Sequence, residues 1–351
     1  RIDSRIMTEK EVVESVRRIR PAAETVPGLT FFDVWTALAF EQFARRNVDA
    51  AAIEVGMGGR LDSTNVVTPD VSVIMPVSFD HRGKLGDTIA EIAAEKAGII
   101  KPGIPVVSAP QTPEALDVIE SRARETRSNL VTVGRDVRWT VEGGLLSYHG
   151  RLWNIEGVRV PLPGRFQYTN AATALAVLET LALAGRPVTP DAAKRGIERV
   201  QWPGRLQRLA ESPDVVVDGA CNVAAMEEVV EYIQKSKPRE SVVALVAMCR
   251  DKDLRDVMGV LGRAVSKMVC TEARNPRAMP AADLSREAPD GVETVSDPDP
   301  ARALETAVGL AGPDGLVIAT GSLYLVGELF RIYGVDEDTG AAAHDASRTS
   351  E

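Results

Sequence analysis

Residue types that bind metal ions and phosphate recur in this chain at the ends of apolar runs. Val48 to Ile53 is largely apolar, reads as a buried strand, and ends at Glu54. The residues that follow, Val55-Gly56-Met57-Gly58-Gly59-Arg60-Leu61-Asp62-Ser63-Thr64-Asn65, place three glycines within four positions. Asp80-His81 follows a second strand-like run, Val71 to Val77, and Lys96 lies on the helix beyond it. Ligands of open α/β sheets bind beyond the carboxyl ends of the strands. Glu, His and Lys at successive ends of one α/β unit therefore point to a metal and phosphate site.

Each residue has a plainer role to set beside that one. Asp87 can cap the helix that carries Lys96, and Ile89, Ile92, Ala93 and Lys96 then share one stripe. A lysine on an apolar stripe is ordinarily a snorkelling side chain. The alternative is a desolvated amine of lowered pKa, which in its neutral form adds carbon dioxide and becomes an anionic carbamate. Glu54 can be a solvated strand end and His81 a turn residue. As donors they offer one carboxylate and one imidazole, a plausible protein share for magnesium, which keeps several waters. Phe31 and Phe32 can stack on a flat heteroaromatic ring, although core packing is the commoner role of such a pair.

The elements that position these groups alternate. Helices are expected over Thr8 to Arg18 and Phe31 to Arg46, the second with Phe32, Ala39, Phe40 and Phe43 at helical spacing. Strands near 48–54, 71–77, 104–108 and 129–133 alternate with helical segments, which implies a parallel sheet with crossovers. Residues 137–162 break the pattern with three short β-like pieces and glycine turns, a small antiparallel insertion. A helix follows from about Tyr168 to Ala184 and stops at Gly185. After Trp202-Pro203-Gly204-Arg205 the alternation restarts, with strands at Val215–Asp218, Val242–Met248, Met268–Glu272 and Leu316–Thr320. The fold class is α/β: a central domain over 1–203, a Rossmann-like domain over 204–335, and a tail over 336–351 whose composition predicts disorder.

Composition limits the function. The 351 residues carry a net charge of −9, which argues against a general nucleic-acid surface, so an anionic substrate must be held by local groups. No apolar run approaches the roughly 20 residues of a membrane span. Cys221, Cys249 and Cys270 lack metal-ligand spacing and fit a reducing compartment.

The ordered set Thr30-Phe31-Phe32-Asp33, Glu54 to Asn65, Asp80-His81, Glu95 to Ile99, Gln167 to Asn170, Trp202 to Arg205, Asp218-Gly219-Ala220 and Thr320 to Tyr324 resembles the folylpolyglutamate synthase/dihydrofolate synthase family of the Mur ligase superfamily. The resemblance covers nearly all of residues 1–332. It implies a Mur-ligase-like central ATPase domain joined to a C-terminal Rossmann-like domain. It also implies an ATP- and Mg2+-dependent ligase that joins L-glutamate to dihydropteroate, to a reduced folate, or to both, through an acyl phosphate. By position, Glu54 and His81 match magnesium ligands and Lys96 matches an N6-carboxylysine. Asn170, Arg205 and Asp218 match ATP contacts. Thr30, Phe31, Phe32 and Asp33, with Leu61, Asp62 and Ser63, match the pterin pocket. A cytoplasmic monomer with no nucleic-acid or membrane partner is the corresponding expectation.

Two departures stand against it. No G-x-x-x-x-G-K-[ST] phosphate loop occurs in these residues, and the chain opens on Arg1. It is therefore expected to be the carboxyl-terminal part of a longer protein, truncated at the N-terminus of its central domain, and inactive alone. Asp218-Gly219-Ala220-Cys221-Asn222-Val223 carries Cys221 where the family motif has histidine, and a thiol cannot supply an imidazolium. These departures motivate an alternative, a non-catalytic paralogue that binds folate or nucleotide. A ligase acting on a cell-wall precursor is a third reading, disfavoured by Gly58 to Asp62 and Thr30 to Asp33.

Overall fold

The computed structural model describes residues 1–81, 83–336 and 339–341. The tail expected over 336–351 therefore lies, apart from Asp336 and Thr339–Ala341, outside the described residues.

The first half contains α1 (Glu9–Ala23), α2 (Phe31–Arg46), β1 (Ser72–Ile74), α3 (Ile89–Ala97), β2 (Val106–Ser108), α4 (Pro113–Glu125) and β3 (Leu130–Thr132). Strands β1, β2 and β3 pair in that order, all parallel. Ile92, Ala93 and Ala97 of α3 and Ala115 and Ile119 of α4 close one core against Ile74 and Val106. The helices start where their sequences supply caps. Thr8 with Glu11, Thr30 with Asp33 and Thr88 with Glu91 each form a reciprocal capping box, satisfying backbone donors that a helix start leaves open.

Three expectations change here. Residues 48–54 are extended but join no ladder among the described residues, and Asp49, the three alanines that follow it and Glu54 are exposed. Side chains that small bury too little surface to fix a strand. The cap of α3 is Thr88, whose hydroxyl accepts from Glu91 N; Asp87 stands one residue outside and donates its own N–H to Glu91 Oε2 (2.8 Å). In α2 the buried positions are Thr36, Leu38 and Gln42, whereas Phe32 is 41% exposed. That helix packs against α1, where Gln42 Nε2 donates to Glu11 Oε1 (3.4 Å).

The antiparallel insertion is present as β4 (Arg138–Glu142), β5 (Leu145–His149) and β6 (Asn154–Arg159). It packs on α5 (Phe166–Leu183) and α6 (Pro190–Glu198) through Leu146, Tyr148, Leu175 and Ile197. One buried carboxylate organises this junction. Glu179 accepts from Tyr148 Oη (2.9 Å) and from the N–H groups of Arg151, Leu152 and Trp153 (3.2, 2.7 and 2.6 Å).

The second half comprises β7 (Gln207–Ala210), β8 (Asp214–Val217), α7 (Val223–Ser236), β9 (Val242–Val246), α8 (Leu254–Leu261), β10 (Lys267–Cys270), α9 (Ala281–Leu284), β11 (Glu293–Ser296), α10 (Pro300–Ala311), β12 (Leu316–Thr320) and α11 (Leu323–Tyr333). Its sheet runs β11-β10-β9-β12-β8-β7, parallel except for β7. Both faces of its centre are covered. Val216, Ala244 and Val246 meet residues of α7 and α8, and Val217, Val243 and Leu245 meet residues of α10 and α11. A strand buried on both faces reads as an unbroken apolar run, as Val242–Val246 does.

Candidate active site

The glycine-rich segment is a loop clamped onto the end of α3. Arg60 N donates to the Glu95 carbonyl (2.8 Å), and its guanidinium bonds the Glu95 carboxylate (3.1 and 2.9 Å). Asn65 Nδ2 donates to the carbonyls of Arg60 (3.0 Å) and Gly98 (3.3 Å). Contact is close enough to require glycine: a Cβ on Gly59 would lie 2.8 Å from the Glu95 carbonyl oxygen, and one on Gly98 2.4 Å from Arg60 Cβ. The turn that carries Lys96, which is half-buried, is thereby fixed against the loop that begins just after Glu54.

The start of α2 closes the other side of the loop. Ser63 Oγ donates to Asp33 Oδ1, while Asp33 Oδ2 accepts from Thr30 N and Thr30 Oγ1 (both 2.7 Å). Hydrogen bonds from Ser63 and Thr30 hold the Asp33 carboxyl below the usual carboxylate range. Asp62 accepts from Met57 N (2.9 Å) and Thr64 N (3.0 Å), which shapes the loop. The Phe32 ring covers Gly56, where a Cβ would come within 2.3 Å of it. Thr30, Phe32, Asp33, Asp62 and Ser63 are thus brought together. Phe31 and Leu61 are 78% and 80% exposed beside them. Phe31 meets Trp35 edge to face (5.6 Å between centroids, 71°). Trp35 follows Phe31 by four residues on one helix face, a spacing legible in the sequence.

Asp80 links the two halves of the chain. Its Oδ2 accepts from Asn222 Nδ2 (3.1 Å) and its Oδ1 from Lys252 Nζ (2.8 Å) and His81 N (2.9 Å). Burial pushes the Asp80 carboxyl up, but the bonds from Lys252 and Asn222 outweigh it and leave the pKa below its ordinary value. Burial acts on Lys252 in the opposite sense and is overcome by the bond to Asp80, so the ammonium is held above its ordinary value. Asn222 has two roles, because its Oδ1 also accepts from Ala225 N (2.9 Å) and caps α7. No motif in the sequence marks Lys252. Its signal was the rule applied to Glu54: Cys249 to Asp253 lies just beyond β9, at a strand's carboxyl end.

Of the remaining expected residues, Asp218 is buried and accepts from Leu206 N (2.9 Å) and Ala220 N (2.8 Å), so it ties the interdomain connector to β8. Burial raises its pKa against those two bonds. Arg205 lies beside it, with Nη1 3.3 Å from the position of a Cβ on Gly219. Among the described residues Arg205 has no ion pair. Helix α5 starts at Phe166 rather than at about Tyr168, so Asn170 sits at its fifth position, with Nδ2 donating to Gln167 Oε1 (3.0 Å). Helical bonding begins earlier because the chain turns at Gly164, whose carbonyl accepts from Gln167 N. Cys221 is half-buried, and burial pushes its thiol up, so it is uncharged at neutral pH.

Glu54 is exposed and has no hydrogen-bond partner among the described residues. His81 adopts the left-handed conformation (φ 51°), and its Nε2 lies 3.9 Å from Asp80 Oδ1. Among the described residues no group of three or more His, Cys, Asp or Glu side chains could hold a metal.

Two α/β units, the first with a glycine loop clamped on a helix, meet at Asp80, and both match domains of the Mur ligases. Residues 24–178 match the Mur ligase middle domain and residues 204–323 the Mur ligase glutamate ligase domain. The chain is 33% identical to the folylpolyglutamate synthase of Lacticaseibacillus casei, over 93% of this chain and 79% of that protein. It is similar in structure to Escherichia coli FolC in complex with DHPP and ADP (TM-score 0.86, 28% identity, 98% of this chain and 78% of that one). It is also similar to the bifunctional folylpolyglutamate synthase/dihydrofolate synthase of Yersinia pestis complexed with AMPPNP and Mn ion (TM-score 0.83, 28% identity, 94% and 77%). The chain belongs to the folylpolyglutamate synthase/dihydrofolate synthase family of ATP-dependent amide-forming ligases.

Proposed function

We propose that this protein is an ATP- and Mg2+-dependent ligase that forms an amide between L-glutamate and dihydropteroate, a folylglutamate, or both, as a cytoplasmic monomer. The observation that carries the reading is the junction at Asp80, where the Asp80-His81 turn of one unit meets Asn222 and Lys252 of the other. The E. coli neighbour's DHPP and ADP and the Yersinia neighbour's AMPPNP and Mn ion support the acceptor, nucleotide and divalent cation.

In this mechanism the acceptor's flat ring lies on Phe32, between the Thr30–Asp33 turn and Leu61–Ser63. Its carboxylate attacks the γ-phosphorus of ATP, ADP departs, and an acyl phosphate forms. The glutamate amine then adds to the acyl carbon, and the tetrahedral intermediate expels phosphate. Arg205 supplies a fork of donors to phosphate oxygens, with Asp218 holding its segment. Lys252 places a permanent positive charge at the junction, where a carboxylate or phosphate oxygen gains from it. Glu54, His81 and a carbamate on Lys96 would hold the cation, which when bound neutralises charge on the transferring phosphoryl group. Rotation about residues 200–206 brings the two sets of groups together and excludes water.

The test is ATP-dependent incorporation of labelled glutamate by the full-length reading frame, with dihydropteroate and tetrahydrofolate supplied separately and Lys96→Ala as control. Product lost in the variant is the expected result. A folded protein that binds ADP or folate but makes no product would overturn this reading. It would favour the second one, a binding paralogue, which Cys221 and the lack of a phosphate-loop motif in these residues motivate.

A further inference from the structure

The connector between the two units is bonded to a distant part of the chain through a single side chain. Gly204 N donates to Gln207 Oε1 (2.9 Å), and Gln207 Nε2 donates to the Gly340 carbonyl (2.8 Å). Gly340 also lies against the connector itself: a Cβ there would stand 3.1 Å from Pro203 Cγ and 3.3 Å from Gln207 Nε2, at a φ of +70°.

Gly340 is held in place by bonds among Asp336, Thr339 and Ala341. Val335, next to Asp336, lies in the core beside α11. Gly340 N donates to the Asp336 carbonyl (2.8 Å) and Asp336 N to the Ala341 carbonyl (2.9 Å). Asp336 Oδ1 accepts from both Thr339 N (2.7 Å) and Thr339 Oγ1 (2.9 Å). Asp336 with Thr339–Ala341 thus forms a bonded loop pressed on the connector.

The surface it occupies belongs to both units. Thr339 and Gly340 form one wall of a groove of ≈ 600 Å³, and Leu162, Trp202 and Tyr232 contribute others. Leu162 precedes α5 of the central unit and Tyr232 lies on α7 of the second, so any change in the angle between the units must reshape this groove. Gly204, at φ +75°, is a position where backbone rotation meets little steric resistance, and its N–H is the group that Gln207 holds.

We infer that Thr339–Ala341, tied to Asp336, act as a strap that forms one wall of the hinge groove, and that this contact sets the resting angle between the two units through Gln207. With the strap seated, rotation at Gly204 requires breaking the Gln207 bonds; with it displaced, the connector is free to turn. The consequence for turnover rests on the ligase reading above, but the contact itself does not.

Hydrogen exchange measured by mass spectrometry on the full-length reading frame separates the two. A chain stopped after Ala341 keeps the strap and should leave exchange over residues 200–208 unchanged. A chain stopped after Val335, Gly340→Val, and Gln207→Met should each speed it by about fivefold, the effect of losing one net hydrogen bond. Exchange in Val242–Val246 reports global unfolding and should not move. If the stop after Val335 disturbs that strand as well, the two point variants decide. Unchanged exchange over 200–208 in both point variants, or an equal rise on stopping after Ala341, would overturn the strap. Faster exchange over 200–208 in a protein whose unaltered form makes no glutamate product would keep the strap and count against the catalytic reading instead.

Discussion

Truncating the two partners of the Asp80–Lys252 bond should have unequal costs. The Lys252 side chain is 13% exposed and that of Asp80 31%, so the pair lies between a surface ion pair, worth about 0–1 kcal/mol, and a buried one, where removing a partner costs about 3–5 kcal/mol. Asp80→Ala leaves an ammonium with little access to water and should destabilise by about 2–3 kcal/mol. Lys252→Met leaves a carboxylate that still accepts from Asn222 Nδ2 and His81 N, and should cost only about 1 kcal/mol. The double variant loses both charges together, so a urea-unfolding cycle at pH 7 should give a coupling of about 1 kcal/mol. The pH dependence follows from the two shifts. Asp80 titrates below its ordinary 3.8, so its contribution is full above that value and disappears as pH falls through the lowered pKa. Lys252 titrates above its ordinary 10.5, so its contribution is full below that value and disappears as pH rises through the raised one. Additive single variants, with a coupling under about 0.3 kcal/mol, would refute the claim that this bond joins the two units energetically.

Gly59→Ala should destabilise by about 1–3 kcal/mol, because its Cβ would meet the Glu95 carbonyl at 2.8 Å and Ile99 Cγ2 at 2.9 Å. Gly143→Ala, also at positive φ but with nothing within 4 Å, is the thermal-unfolding control, and an equal loss at both would discount the close packing. Lys96→Ala should lower glutamate incorporation by about 100-fold or more, as loss of a group acting on phosphoryl charge does, with partial recovery in added short-chain carboxylate. Retained activity without rescue would return Lys96 to a packing role. Cys221→His should change the rate of glutamate addition while leaving thermal stability within about 0.5 kcal/mol, as a half-buried polar exchange allows. An unchanged rate would mark the cysteine as a tolerated replacement.

The parts of this fold that were legible in the sequence are those whose burial is uniform. Val242–Val246 and Leu316–Thr320 read as strands because both faces of the sheet are covered there. The edge strands β7 and β11 did not, since Gln207–Ala210 and Glu293–Ser296 are half-exposed and mix polar with apolar residues. The run at 48–54 erred in the other direction: alanines counted as apolar without the bulk to fix a strand. For the site, local motifs located the glycine loop and the start of α2, because their bonds join residues near in sequence or within one unit. Lys252 escaped because its partner is 172 positions away, and no local pattern encodes which side chains two domains bring together. The Glu179 knot was hidden for a related reason. A glutamate within an apolar helix reads as a solvated break, and only the folded insertion supplies its four donors.

The charge of the chain and that of its proposed substrates conflict unless positive groups are concentrated. At −9 the protein as a whole repels a nucleotide and a polyanionic folate, so its general field cannot attract them. Attraction must come from short-range groups at the junction, where low dielectric and exclusion of water strengthen each one. The cationic groups near the strand ends meet that need in different ways. Lys252 is held charged by Asp80, and Arg277 by the Tyr324 hydroxyl and the Asp251 carboxylate. Arg205 has no ion pair among the described residues, which leaves its fork for an incoming anion. Asp80 therefore has an electrostatic role beyond joining the units. It occupies Lys252, and an arriving carboxylate or phosphate competes for the same ammonium. Substrate entry and domain rearrangement would then share one bond, so Asp80→Asn should tighten anion binding while loosening the contact between the two units.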